Sequence, residues 1–199
     1  MTTSAEGFVL AGGESVRMGR NKALLELGGE ALVVRTARLV AAVVKSVTVV
    51  GPPEIYAPFK LRAIRDDWPG AGPLEGIATA LRASRSEWNL IVACDLPYLT
   101  GPWLAYLVQR GLSSPADAVL PMNVAGAEPL CAMYSRGAEA AIWLALDRGT
   151  RKVTDGLASL RVEYIEPAEW KDFDSDGWLF KNMNSMADYE EAKQRLQHL

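Results

Sequence analysis

Histidine is almost missing from this 199-residue chain: the single one is His198, beside the C-terminus. A mechanism built on an imidazole general base therefore has no candidate in the body of the protein. Cysteine is scarce too. Cys94 and Cys131 both sit in apolar, strand-like surroundings, which reads as two reduced core residues and not as a disulfide or zinc site. No apolar run approaches the ~20 residues of a membrane span, and Met1-Thr-Thr-Ser-Ala-Glu6 lacks the basic and apolar regions of a signal peptide. A cytoplasmic protein without a membrane partner is expected. An excess of positive charge is also lacking. The net charge is −3, which argues against a nucleic-acid-binding surface. Repeats, low-complexity tracts and linkers are absent from the sequence, and 199 residues suit one domain, residues 1–199, able to bury about 70% of the unfolded surface.

What the sequence does have is concentrated near its start, in Phe8-Val-Leu-Ala-Gly-Gly-Glu-Ser-Val-Arg-Met-Gly-Arg-Asn-Lys22. Phe8, Val9 and Leu10 form a short apolar run of the kind that makes a buried strand. The run breaks into Gly12 and Gly13, with Gly19 and the cations Arg17, Arg20 and Lys22 following. Glycines let main-chain N–H groups approach an anion closely, and cations neutralise what the amides leave. Two familiar phosphate loops are excluded. Lys22 is followed by Ala23 and not Ser or Thr, so the mononucleotide P-loop fails, and the glycine spacing does not fit the dinucleotide fingerprint.

Strand and helix signals then alternate. Ala31–Val44 has helical spacing; Ser46–Val50 and Leu61–Ile64 read as strands. A helix carries Leu74, Ile77 and Leu81, and Asn89–Cys94 is the most strand-like run of all. Thr100 can cap the next helix, with Pro102 in its first turn. Ala118–Leu120 is another strand. This alternation predicts an α/β protein with a mostly parallel sheet covered by helices on both faces. Further on, Pro129–Tyr134 and Arg161–Ile165 look like strands, Glu139–Leu146 and Val153–Leu160 like helices, and Trp170–Lys181 like irregular polar chain. Ser185 opens a last helix with Asp188 as its capping-box partner.

Ligands in open α/β sheets sit beyond the carboxyl ends of the strands. That rule should gather the loop after the first strand, Asp66 after the third and Asp95 after the fourth on one edge. Asp95, following a hydrophobic strand and held by Pro97, is placed to ligate Mg²⁺, which takes one or two carboxylates and completes its shell with phosphate oxygens and water. An aspartate that merely starts a turn is the alternative for Asp-x-Pro taken alone.

Leu10-Ala-Gly-Gly-x-Ser-x-Arg-Met-Gly19 with Lys22, followed by Gly70-Ala-Gly-Pro-Leu-Glu-Gly76 and Cys94-Asp-Leu-Pro97, resembles the molybdenum cofactor guanylyltransferase family of nucleotidyltransferases. The resemblance implies a Rossmann-like nucleotidyltransferase fold and transfer of GMP from GTP to the terminal phosphate of molybdopterin, with release of pyrophosphate. By resemblance, Leu10, Ala11, Gly12 and Gly13 hold the nucleotide, and Arg17 and Lys22 contact its phosphates. Asp66, with Asp67 as the alternative, meets the nucleoside, and Asp95 carries Mg²⁺. Glu128-Pro-Leu-x-Ala-x-Tyr134 matches a family strand, and Asn182 and Asn184 of Lys181-Asn-Met-Asn184 would face the acceptor. Brief contact with cofactor-biosynthesis proteins or molybdoenzymes is also implied. In guanylyltransferases an asparagine often follows the second strand, where this chain has Gly51-Pro52, whereas Gly12-Gly13 sets it apart from cytidylyl relatives with Ala-Gly. Three rivals stand beside this reading. They are a cytidylyltransferase on the same cofactor or another NTP:phosphate-acceptor (sugar- or alditol-phosphate) nucleotidyltransferase, a glycosyltransferase using Asp174-Ser-Asp176, and a non-catalytic carrier of nucleotide or cofactor.

Overall fold

The computed structural model describes residues 4–12, 21–67, 70, 72–174 and 176–196. In chain order its elements are β1 (Glu6–Leu10), β2 (Glu26–Leu27), β3 (Glu30–Ala31), α1 (Leu32–Ala41), β4 (Val47–Val50), α2 (Pro53–Tyr56), β5 (Ala63–Ile64), α3 (Pro73–Ala83) and β6 (Trp88–Ala93). There follow α4 (Gly101–Ser113), β7 (Ala118–Asn123), β8 (Gly126–Ala127), β9 (Cys131–Ser135), α5 (Glu139–Asp147), α6 (Val153–Gly156), β10 (Val162–Ile165), α7 (Pro167–Trp170) and α8 (Met186–Leu196).

The main sheet runs β10-β7-β9-β6-β1-β4-β5, with β8 paired to β7. Along that path β9 alone runs against its neighbours, antiparallel to both β6 and β7; the other pairings are parallel. Successive strand residues face opposite sides of a sheet, and the two cores divide accordingly. Val9, Val49, Leu90, Val92, Val119 and Met133 face α1 and α4. Phe8, Leu10, Val50, Ile91, Leu120 and Ala132 face α3, α5 and α6. Because both faces are buried, the strands read as continuous apolar runs and not as alternating ones.

The chain steps from β1 outward to β4 and β5, then crosses back to lay β6 on the other side of β1. The strand order therefore reverses between β1 and β6, which is where a ligand crevice opens in such sheets. Thr100 caps α4 as expected, its side chain accepting from Trp103 N at 3.4 Å. Both cysteines are free and buried. Burial pushes their thiols up to about 12, so they stay protonated and inert.

Several boundaries differ from the sequence reading. The Gly28-Gly29 turn joins the two-residue strands β2 and β3, too short for a periodic signal. The segment read as Val153–Leu160 is helical only as α6. The irregular stretch Trp170–Lys181 buries Leu179 and Phe180, whose rings and side chains complete the core around Trp103 and Trp170. A third, small cluster joins Leu25, Leu27, Leu32, Met183 and Ala192, seating α8 on the β2–β3 hairpin.

Candidate active site

Lys22 starts a single 3-10 turn, Lys22–Leu24, held by Asn21, whose side-chain oxygen accepts from Ala23 N at 3.0 Å. From there the Lys22 ammonium donates to Asp95 Oδ2 at 2.9 Å and to Asn184 Oδ1 at 3.3 Å. The first is a charge-assisted bond, the stronger kind. Three segments far apart in sequence thus meet at one nitrogen. Asp95 is fixed there by its backbone: its carbonyl accepts from Met183 N at 2.9 Å, and Cys94 N donates to Leu10 O at 3.1 Å. Met183 is anchored by burial in the small third cluster, so Asn184 beside it is carried to Lys22. Asn184 is further set by the cap of α8. Asp188 Oδ2 accepts from Asn184 N, Ser185 N and Ser185 Oγ, each at 2.8 Å, while Asp188 N donates to Ser185 Oγ at 3.2 Å. The capping box expected at Ser185 is present. Asn182 is exposed; the hydrogen bond to Lys22 comes from its neighbour Asn184.

On the β5 side the site is shaped by the backbone. Ala11 N donates to Val50 O at 2.9 Å, and Ala11 O accepts from the Tyr56 hydroxyl at 2.6 Å. A Cβ on Gly12 would lie 2.2 Å from Asp66 Oδ2, so that carboxylate rests directly against the glycine. Burial raises the Asp66 carboxyl above its usual range, and the charge of Asp67 adds to the effect. Asp67 itself turns to α3: its N–H reaches Thr79 Oγ1 at 3.3 Å and its carboxylate lies 3.7 Å from Arg82. Of the two neighbouring acids, Asp66 is the one directed at the first loop. Gly51 has φ +155, and a Cβ there would come within 3.0 Å of the Tyr56 ring and 3.2 Å of Ala11. An asparagine side chain at that position would have to displace the ring that caps Ala11. Gly13, Arg17 and Arg20 lie outside the described residues.

The sequence reading gave no site role to two residues on the opposite flank. Glu128, just before β9, is half-buried and accepts from Asn123 Nδ2 at the end of β7. Burial pushes its carboxyl up to about 7; the Asn123 hydrogen bond opposes that rise and the nearby charge of Asp95 adds to it. The signal for Glu128 was the charged residue heading an otherwise apolar strand segment. Its direction toward Asp95 depends on the reversal of β9. Asp174 and Asp176 do not form a metal pair. Asp174 Oδ1 accepts from Trp178 N and Leu179 N at 2.9 and 3.2 Å, closing a turn, and Asp176 pairs with Arg195.

A doubly wound sheet whose strand order reverses beside Gly12, Lys22 and the strand-end Asp95 is the frame of a nucleotidyltransferase, and the comparisons with known proteins give that class. The chain belongs to the MobA-like NTP transferase domain family, whose model matches residues 7–162. A molybdenum cofactor guanylyltransferase from Syntrophotalea carbinolica is 31% identical over 188 residues, covering 94% of this chain and 90% of that protein. A relative from Pelotomaculum thermopropionicum, named "Probable molybdenum cofactor guanylyltransferase", is 34% identical over 190 residues, 95% and 92% of the two chains. Among solved structures, molybdopterin-guanine dinucleotide biosynthesis protein A from Archaeoglobus fulgidus matches with a TM-score of 0.86 at 25% identity, covering 98% of this chain and 100% of that one. The fold class and the family expected from the motifs are those found.

Proposed function

We propose that this protein transfers GMP from GTP to the terminal phosphate of molybdopterin and releases pyrophosphate. The observation that carries the reading is the meeting of Lys22, Asp95 and Asn184 at the strand-order reversal. A phosphate monoester has a second pKa near ~6, so the acceptor is already a dianion at neutral pH and needs no general base. That suits a site with no histidine among its described residues. What remains for the protein is positioning and charge stabilisation.

In this reading Leu10, Ala11, Gly12 and Gly13 present backbone to the nucleotide, and Asp66 meets its nucleoside. Lys22 and Arg17 hold the β- and γ-phosphates, so negative charge building on the leaving pyrophosphate stays close to fixed cations. Asn182 and Asn184 face the acceptor. Mg²⁺ fits the donor set. Asp95 Oδ2 and Asn184 Oδ1 are hard oxygens already sharing a cation, the Lys22 ammonium. Among the described residues no three His, Cys, Asp or Glu side chains cluster as metal ligands. An ion here would therefore rely on Asp95, neutral oxygens, phosphate and water, the set Mg²⁺ prefers. Bound there, Mg²⁺ would neutralise charge on the α-phosphate. With an ion held by Asp95, the Lys22 ammonium would be free to serve the phosphates.

No helix among the described residues is long and apolar enough to cross a membrane. We take the protein to act in the cytoplasm and to hand its product to molybdoenzymes or their assembly factors. A pyrophosphate-release assay with molybdopterin and GTP, CTP or ATP tests the reading: turnover with GTP, at least tenfold above CTP, is expected. Gly51 in place of asparagine favours a second reading, a cytidylyltransferase on the same cofactor, and equal or better turnover with CTP would decide for it.

A further inference from the structure

Going along the sheet from β5 to β7, the candidate groups fall in a fixed order. Asp66 and the first loop come first, Asp95 and Lys22 stand in the middle, and Glu128 with Asn123 lies beyond. Nucleotidyl transfer is an in-line displacement, so the acceptor must arrive opposite the leaving pyrophosphate. With the pyrophosphate gripped on the first-loop side, the acceptor arrives from the β9–β7 side. Glu128 is built into that flank. Its N–H donates to Pro121 O at 2.8 Å and its carbonyl accepts from Cys131 N at 3.2 Å. The pairing of Val92 with Cys131, continued by Ala93 N to Leu130 O at 2.7 Å, sets the turn beside the end of β6 and hence beside Asp95. Asn123 is fixed in turn, its own Oδ1 accepting from Ala125 N at 2.6 Å.

Asn123 occupies Oε1 of Glu128, and Oε2 has no hydrogen-bond partner among the described residues. A half-buried carboxylate oxygen on that flank, with no such partner of its own, wants a donor. A phosphate dianion offers none and would be repelled. The pterin ring offers N–H groups. We propose that Glu128, held in orientation by Asn123, recognises an N–H donor on the pterin of the acceptor and so aligns its distal phosphate for attack. The inference rests on molybdopterin being the acceptor, which wild-type turnover in the same assay checks separately.

The decisive variant is Glu128→Gln, which keeps shape and volume. With Asn123 donating to its carbonyl, the new side chain turns an NH₂ toward the pterin N–H, setting donor against donor. KM for molybdopterin should rise at least about tenfold, the range expected when a polar group loses its partner. KM for GTP, equilibrium GTP binding by calorimetry and Mn²⁺ binding by EPR should each stay within twofold. Asn123→Ala, which frees the carboxylate, should raise the same KM by a smaller factor. The proposal is overturned if KM for molybdopterin is unchanged in Glu128→Gln, if both KM values rise together, or if Mn²⁺ binding weakens instead. Should Glu128→Gln be too unstable to assay, the Asn123→Ala result decides by the same criteria.

Discussion

The two flanks of the cleft are made of different material. On the β5-β4-β1 flank the determinants are mostly backbone: carbonyl and amide groups of Leu10 and Ala11, and glycines at 12 and 51 whose missing side chains admit Asp66 and the Tyr56 ring. In the middle and on the β9-β7 flank they are side chains, with Asn184 reaching Lys22 across 162 positions beside Asp95 and Asn123 steadying Glu128 beyond it. A polyphosphate is the same in every nucleotide and can be held by backbone geometry. An acceptor has its own pattern of donors and acceptors, which only side chains can match. The first flank should thus fail through shape and the second through chemistry.

The largest effect should come where the flanks join. Asp95→Ala or Lys22→Ala should lower kcat/KM on the order of 10²–10³ with little change in Tm, since both groups are partly solvated. Full turnover in either folded variant would dissolve the site. Next comes shape. Gly12→Ala would drive its methyl into the Asp66 carboxylate, 2.2 Å away, and GTP affinity should drop about tenfold, by analogy with a lost polar contact. If Asp66 is the group displaced, Gly12→Ala adds nothing further in an Asp66→Ala background. A full additive loss in that double variant contradicts the contact. Gly51→Asn should cost about 1–3 kcal/mol of stability through crowding and backbone strain, measured by urea unfolding. A variant as stable as the parent would mean that the Tyr56 ring moves aside freely.

The pH response separates the flanks more gently. Burial holds the Glu128 carboxyl at about 7, above its ordinary 4.5. Between those values the native protein keeps a proton that the unfolded chain releases, so folding stability contributed by Glu128 is full below the lower value and fades as pH rises through the upper one. Glu128→Gln should lack that decline, and its Tm relative to wild type should climb between about pH 5 and 7.5. A constant difference across that range would place Glu128 in water. Smallest of all, Asp67→Asn breaks only a surface pair with Arg82 at 3.7 Å and should change stability by less than about 0.5 kcal/mol and GTP binding not at all.

The same contrast explains what could be read from the sequence. The first loop is contiguous: an apolar run, glycines and a lysine within 15 residues announce strand, turn and anion site without reference to the rest of the chain. Asp95 was legible because a carboxylate after a buried strand must lie on the ligand edge of a parallel sheet. Asn184 was marked only by resemblance, since its place depends on burial of Met183 between α8 and the β2–β3 hairpin. Glu128 was marked only as the head of a matching strand, with no role at the site. Periodicity identifies Cys131–Ser135 as a strand but carries no information on its direction, and direction decides which edge receives the residue before it.

That reversed strand has a wider consequence. A sheet whose strands all point one way can furnish a pocket solely from the places where strands finish. By inserting one that points backwards, this fold also enlists a place where a strand begins, together with the small β7–β8 hairpin leading to it. Changes in that hairpin could redirect the enzyme to a different recipient molecule while its hold on the nucleoside triphosphate stays as it was.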